Sequence, residues 1–182
     1  KIMNQNKLLP VFLKIKNEPC LIVGGGKVAY QKIKQLIVCE ADISVISKEY
    51  INEIEQLYKD DKITLIRSRY YKKYINGYKL VISATSDNKV NKQVYSDAEK
   101  SGIPVNVVDE PKLCSYYFGS VYSQGSLKVA VSTNGESPSA GKRIRDLIAK
   151  NMPDKTDSII NRFNQLRKKL KSNMSYYDRK IF

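Results

Sequence analysis

Six residues near the start of the chain carry the clearest chemical pattern. Gly24-Gly25-Gly26-Lys27-Val28-Ala29 fits G-x-G-x-x-A and directly follows the apolar run Cys20-Leu21-Ile22-Val23. In that setting each small residue has a task. Gly24 permits a tight turn, Gly26 lets the backbone approach a pyrophosphate with no Cβ in the way, and Ala29 lets helix and strand sit close together. The start of the following helix offers unpaired N–H groups and a partial positive charge to phosphates. The acid that binds ribose hydroxyls in such sites stands about 20 residues further on. Here that place holds Ile46-Ser47-Lys48, with Glu49 the nearest acid. Ser47 and backbone groups are left to hold the ribose, and Lys48 leaves a 2′-phosphate open.

Absent residue types narrow the chemistry further. The chain has no histidine. That removes imidazole acid/base catalysis, Ser-His-Asp triads and His-ligated metals. The three cysteines, Cys20, Cys39 and Cys114, are widely spaced with no C-x-x-C, so neither a zinc ribbon nor a disulfide framework is expected. Cys20 and Cys39 read as core, and Cys114 as a small buried filler. Catalysis must rest on carboxylates, lysines, hydroxyls, backbone groups or a bound cofactor. No metal site is expected.

The elements that must position these groups follow from hydrophobic periodicity. Residues 19–23 read as a buried strand. A helix over roughly 27–38 follows, with Val28, Ala29, Ile33, Leu36 and Ile37 at three- and four-residue spacing. Strands are expected at 42–46, 62–66, 79–83 and 104–108, and helices at 48–58 (Ser47 as N-cap) and 88–100. This alternation predicts an α/β fold built on a doubly wound parallel sheet of the Rossmann type. After Asp109 the pattern changes. Residues 115–123 and 127–133 read as an antiparallel pair around Gln124-Gly125. Ser137-Pro138 opens a helix running to about 150, Pro153 breaks it, and a basic helix covers 155–171. The expected organisation is a nucleotide-binding domain at 1–110, a β-plus-helix dimerisation and substrate module at 111–150, and a helical C-terminal tail at 151–182.

The chain has 182 residues, with 32 Lys and Arg against 18 Asp and Glu, for a net charge of +14. Residues 142–182 hold 12 of those bases and only 4 of the acids. Such a field favours an anionic partner, either nucleic acid or a polyanionic small molecule. No apolar run approaches the ~20 residues that span a bilayer. A soluble, cytoplasmic protein is expected.

Four segments in order resemble one family. They are the glycine loop, then Ala84-Thr85-Ser86-Asp87 with Asn91, then Asn106-Val107-Val108-Asp109 with Pro111, then Val131-Ser132-Thr133-Asn134-Gly135-Glu136-Ser137-Pro138; the opening Leu9-Pro10-Val11-Phe12 also fits. Together they resemble the precorrin-2 dehydrogenase family, including the dehydrogenase/ferrochelatase module of siroheme synthase, over roughly residues 9–150. The resemblance implies an oxidoreductase that converts precorrin-2 to sirohydrochlorin with NAD, in siroheme (porphyrin-type) biosynthesis. Some members also insert ferrous iron. It implies a homodimer and a tetrapyrrole substrate with eight carboxylates, a natural partner for the positive charge. Departures are Gly119 where proline is usual, Thr133 where some members have serine, and Ala140-Gly141 in place of a bulkier pair.

The resemblance also assigns residues. Gly24, Gly25, Gly26, Lys27 and Val28 form the phosphate loop. Ser47, Lys48 and Glu49 line the adenosine ribose, and Ala84 and Thr85 lie near the nicotinamide. Asp109 is the expected base or proton-steering group; as a bare sequence feature it reads first as a turn residue. Asn106, Thr133, Asn134, Ser137, Lys142 and Arg145 are candidates for the substrate carboxylates, with Lys142 and Arg145 on one helix face. Tyr116, Tyr117 and Tyr122 read as strand-packing residues with stacking on a macrocycle as the alternative. Two other readings stand beside this one: a non-catalytic nucleotide-sensing module, and nucleic-acid binding through the basic tail at 162–171, which carries no recognised nucleic-acid motif.

Overall fold

The computed structural model describes residues 6–173, which divide into two units: residues 9–117, and residues 118–173 with the described start of the chain. The first unit is a five-stranded parallel sheet in the order β3-β2-β1-β4-β5. Its strands are β1 (Pro19–Val23), β2 (Asp42–Ser47), β3 (Thr64–Arg67), β4 (Leu80–Ser83) and β5 (Val105–Val107). Helices α1 (Lys27–Ile37), α2 (Asn52–Lys59) and α3 (Asn88–Lys100) alternate with them. The chain winds one way from β1 to β3 and the other way from β4 to β5. Right-handed crossovers therefore put α1 and α2 on one face and α3 on the other. This is the doubly wound α/β fold that the alternation predicts.

Both faces are filled. Leu21, Val23, Ile46, Val81, Val105 and Val107 meet Val94 and Ala98 of α3 in one buried cluster, closed by Tyr70 and Ile75. The alternate strand residues Cys20, Ile22, Ile43, Val45 and Ile82 are also buried, as are Ala29, Ile33 and Leu36 of α1 and Ile54 of α2. A central parallel sheet covered on both sides needs such continuous apolar strands.

Two expectations need correction. Ser47 does not cap α2. It ends β2, and α2 starts at Asn52 with Ile51 in the cap position. The reason is Tyr50, whose hydroxyl accepts a hydrogen bond from Ser47 N (3.0 Å) and lies 2.9 Å from Val45 O and 2.8 Å from Ile66 O. This clamp spends residues 48–51 as a crossing loop. The segment 111–117, assigned by periodicity to the second module, folds onto β5 instead. Asn106 bridges Cys114, and Ser115 N donates to Val105 O at 2.8 Å.

The second unit is a hairpin with two helices. Strands β6 (Ser120–Gln124) and β7 (Leu127–Val131) pair antiparallel, from Ser120 opposite Val131 to Gln124 opposite Leu127. Gly125 takes the left-handed φ of +55° that the two-residue turn requires. Helix α4 (Pro138–Asn151) lies close on the hairpin at Gly141, where a β-carbon would stand 3.3 Å from Ser120 Oγ. Helix α5 (Thr156–Asn173) anchors its first turn to the hairpin loop: Asp157 Oδ1 accepts from Ser126 N at 2.9 Å and from Ser126 Oγ at 3.2 Å. Among the described residues no helix is long and apolar enough to cross a membrane.

Candidate functional site

The glycine turn between β1 and α1 is tight on one side and open on the other. Gly24 sits at φ +129°, and a β-carbon there would collide with the Ala84 carbonyl. A β-carbon on Gly25 would collide with the Glu49 carbonyl. Gly26 faces open space, with nothing within 4 Å of where a β-carbon would be. Backbone bonds fix the turn: Gly24 N donates to Ile46 O (2.8 Å), Ile51 N to Gly25 O (3.0 Å) and Ala84 N to Val23 O (2.8 Å). Helix α1 begins at Lys27 with no side-chain cap and no acid in its first turn. Its leading N–H groups have no carbonyl one turn earlier. That donor set suits a pyrophosphate, and the missing β-carbon of Gly26 leaves the approach clear.

A cleft of about 770 Å³ opens beside this turn. Its walls come from the C-terminal ends of the strands, where ligands bind in open α/β sheets. Gly24, Ser47, Lys48, Glu49 and Thr85, all expected from the sequence, line it. So do Ser68, Arg69, Tyr71, Val90 and Gln93, which sequence reasoning missed. The available signal was position, since Ser68 and Arg69 directly follow β3 as Lys48 follows β2.

The turn after β4 is held by a buried polar chain. Ser83 Oγ donates to Asn91 Oδ1 (2.7 Å), and Asn91 Nδ2 donates to Thr85 O (3.0 Å). Thr85 Oγ1 accepts from Asp87 N at 3.2 Å, and Asp87 caps α3 by accepting from Lys89 N (2.9 Å) and Val90 N (3.2 Å). Thr85 is thus fixed in the cleft wall, while Ala84 sits against the glycine turn and is not among the lining residues. At its floor, Tyr70 donates to Asp97 at 3.2 Å, and burial with the adjacent carboxylate pushes the phenol well above its ordinary pKa.

Asp109 follows β5 in an exposed turn closed by Glu110 N donating to Val107 O at 3.2 Å. Its φ is +62°, a left-handed conformation that Asp and Asn tolerate better than most side chains. Lys32 of α1 lies near it. Burial lowers the Lys32 pKa, while the charges of Asp109 and Cys114 oppose that shift. The helical pattern hides this lysine, which sits beside the inward-facing Ile33. Asn106 is buried and its amide donates to Tyr116 O (2.9 Å) and Cys114 Sγ (3.4 Å), so it holds the 114–116 segment in place. The Cys114 thiol is raised above its ordinary pKa by burial, and it bonds to the Val107 and Glu110 carbonyls.

The remaining candidates lie in the second unit. Asn134 (φ +59°) and Gly135 (φ +79°) are the centre of a tight turn that Glu136 N closes onto Thr133 O at 3.0 Å. Thr133 Oγ1 donates to Ser137 O (3.0 Å), and Ser137 Oγ caps α4 by accepting from Ala140 N (3.4 Å). Lys142 is exposed on α4, and Arg145 is engaged with its neighbour Asp146. Tyr116 donates to Val81 O at 3.3 Å, a packing role. Among the described residues, no group of three or more His, Cys, Asp or Glu is arranged to hold a metal ion.

Sequence comparison places residues 11–120 in a family described as putative NAD(P)-binding, and residues 124–151 match the central segment of sirohaem biosynthesis proteins. The chain is 36% identical over 163 residues to a siroheme synthase of Psychrobacter sp. (strain PRwf-1), covering 90% of this chain and 34% of the relative. It is 34% identical over 175 residues to a siroheme synthase of Nitrosomonas europaea, covering 96% of this chain and 37% of the relative. The chain therefore spans about a third of the length of these relatives. Among solved structures, its fold is similar to SirC, a precorrin-2 dehydrogenase, with a TM-score of 0.77 and 24% identity over 94% of this chain and 85% of that one.

Proposed function

This chain belongs to the NAD(P)-binding family matched by residues 11–120, and from that premise we propose that it oxidises precorrin-2 to sirohydrochlorin in siroheme biosynthesis, with NAD as its cofactor. The observation that carries this reading is the glycine turn opening on the strand-end cleft, in a chain similar to siroheme synthases along nine-tenths of its length. NAD, when bound, supplies the hydride acceptor. The chain's own groups do the rest. Gly24, Gly25, Gly26, Lys27 and Val28 hold the phosphates, Ser47, Lys48 and Glu49 the ribose, and Ala84 and Thr85 the nicotinamide end.

Oxidation removes a hydride and a proton from the substrate, and Asp109 takes or steers the proton. Lys32 gives that carboxylate a nearby cation. Lys142 and Arg145 supply positive charge for the substrate carboxylates, while Thr133, Asn134 and Ser137 shape the turn ahead of them. Asn106 acts by holding the chain beside Asp109. The enzyme works in the cytoplasm as a homodimer that joins through the second unit. Its apolar residues Ile144, Leu147, Ile159, Phe163, Leu166 and Leu170 are exposed.

Anaerobic incubation with precorrin-2 and NAD, without metal, tests the reading. NADH absorbance and the sirohydrochlorin spectrum rise together if it is right; NAD binding with neither signal favours the sensing module. Ferrous iron added to the product then tests chelation. Asp109→Asn is the informative variant, because Asn keeps the left-handed turn whereas Ala would strain it. It should lose about 100-fold or more in rate, the usual contribution of a positioned acid/base group, with NAD affinity retained. A native rate in Asp109→Asn would end the role of this residue.

A further inference from the structure

Resting on the dehydrogenase reading, we infer that Lys32 is a positioning residue of that reaction: its ammonium group directs the Asp109 carboxylate and so makes it an effective proton acceptor. The argument starts from the face of α1 on which this lysine stands. Ala29, Ile33 and Leu36 are the buried residues of that helix. Lys32 comes three residues after Ala29 and four before Leu36, so it shares their stripe. A cation on a core-facing stripe is costly unless other charges answer it. Lys32 is half-buried. It stands roughly 7–8 Å along the helix axis from Lys27, which keeps it near the edge where the strands end.

The answering charge comes from the turn after β5, where Asp109 and Cys114 bear on the amine. That turn is braced around Asp109. Val108 N donates to Ser83 O at 2.9 Å, Glu110 N to Val107 O at 3.2 Å and Leu113 N to Glu110 O at 2.9 Å. The Cys114 thiol lies 3.2 Å from Val107 O and 3.3 Å from Glu110 O, the carbonyls on either side of Asp109. The backbone beneath the carboxylate is therefore fixed, at φ +62°, while the side chain itself is exposed. A solvent-exposed carboxylate is ionised at neutral pH without help. What it lacks is direction, and a fixed cation favours the rotamers that face it. Direction alone has kinetic weight, since a misplacement of about 1 Å can cost ~100-fold in rate.

In the oxidation one C–H bond of the substrate gives its hydrogen and electron pair to NAD as hydride. A second hydrogen leaves as a proton to the Asp109 carboxylate, which returns it to water. Lys32 gains and loses nothing in this sequence, but its charge is needed throughout. Burial moves the Lys32 pKa below its ordinary value, so that charge is lost at a lower pH than in an exposed lysine. The other titratable groups at the seam are Glu110 and Cys114, with the exposed Lys112 in the same segment and Tyr95 of α3 and Tyr116 near the thiol. Burial moves the Cys114 thiol and the Tyr116 phenol up, and a bond to Glu99 moves Tyr95 up. Lys32 is moved the other way.

Rates of precorrin-2 oxidation by the full chain, from neutral pH to about pH 10, test this. At neutral pH Lys32→Met should lower kcat about tenfold, with the KM for precorrin-2 and the NAD dissociation constant unchanged. In an Asp109→Asn background the same substitution should cost nothing more, because the group it directs is gone. The parent rate should fall on the alkaline side as the lysine loses its proton. Lys32→Arg, which stays charged throughout, should keep the neutral rate and abolish that fall, whereas Cys114→Ser should retain it. A raised KM for precorrin-2 in Lys32→Met would make the lysine a substrate ligand and overturn the positioning role. Additive losses with Asp109→Asn, an arginine variant as slow as the methionine one, or an alkaline fall that follows Cys114 would also overturn it. Each of these leaves the dehydrogenase reading intact. A parent chain that binds NAD and forms no NADH overturns that reading and this role with it.

Discussion

Leu21 on β1 has no exposed surface, whereas Leu147 on α4 is 60% exposed. The same residue type meets opposite fates in the two units, and the contrast is general. Among the described residues, every buried apolar side chain falls between Cys20 and Val107. In the second unit β6 and β7 alternate half-buried with exposed positions, and the one buried residue of α4 is Gly141. Geometry explains the difference. Five strands with helices on both faces enclose two layers of side chains. A two-stranded hairpin under one helix has too little area to close a core. The sheet of the first unit is closed on both faces, although Leu9, Val11, Phe12 and Leu13 ahead of it are exposed; the second unit leaves apolar residues of α4 and α5 exposed, the surface assigned to the proposed homodimer.

The largest expected effect tests this contrast directly. Leu21→Ala should cost about 2–5 kcal/mol, the usual penalty for emptying a closed core. Leu147→Ala should cost under about 0.5 kcal/mol in a monomer, as surface truncations do. Urea unfolding of both variants at a concentration where the protein is monomeric measures the two. Similar losses would mean that the second unit closes a core of its own.

A second test sharpens the account of the first unit through its buried thiol. Cys20 has no exposed surface, and burial first, then the nearby Asp42, pushes its pKa up from 9.0 to about 11. The unfolded chain therefore ionises this thiol before the folded chain does. The associated stability is fully present below pH 9 and is lost as pH rises towards 11. Two pKa units correspond to about 2–3 kcal/mol. Unfolding of the parent chain between pH 8 and 11 should thus fall more steeply than that of Cys20→Ala, and the difference between the two slopes isolates this one group. Parallel slopes would mean that water reaches the thiol.

The closed sheet of the first unit also explains why so much of it was legible in the sequence. Cys20 to Val23 followed by three glycines and an inward Ala29, Ile33, Leu36 repeat is a local pattern, and β1, the turn and α1 form where it stands. The start of α2 was not legible, because it depends on Tyr50 reaching the carbonyls of two strands, one of them 16 residues away. The fate of 111–117 was hidden for the same reason: the side chain of Asn106 and the backbone of Val105 capture it across the fold. For the candidate site, the glycine loop and the residue after β2 could be named from spacing. Arg69 and Lys32 could not. Arg69 joins the cleft only because β3 pairs with β2, and Lys32 approaches Asp109 only because α1 crosses the sheet.

The smallest effect on monomer stability is expected on α5, and it discriminates most finely. Ile159, Phe163, Leu166 and Leu170 recur at four-, three- and four-residue steps and are all exposed, Phe163 by 67%. That spacing keeps them on one helix stripe. A stripe of this kind on a helix without a covering partner marks an interaction surface. Charged residues on the opposite face keep the helix compatible with water, so the stripe asks for a partner that is itself apolar, and the same stripe on a second copy satisfies that demand symmetrically. If the proposed homodimer joins through this stripe, the parent chain should sediment as a dimer and the double variant Phe163→Glu with Leu166→Glu as a monomer. Its unfolding free energy in the monomer should stay within about 0.5 kcal/mol, and its NAD affinity should be retained, because the glycine turn and the cleft are built wholly from the first unit. A variant that stays dimeric would move the interface off α5, and one that loses NAD binding would show that the nucleotide cleft depends on the second unit.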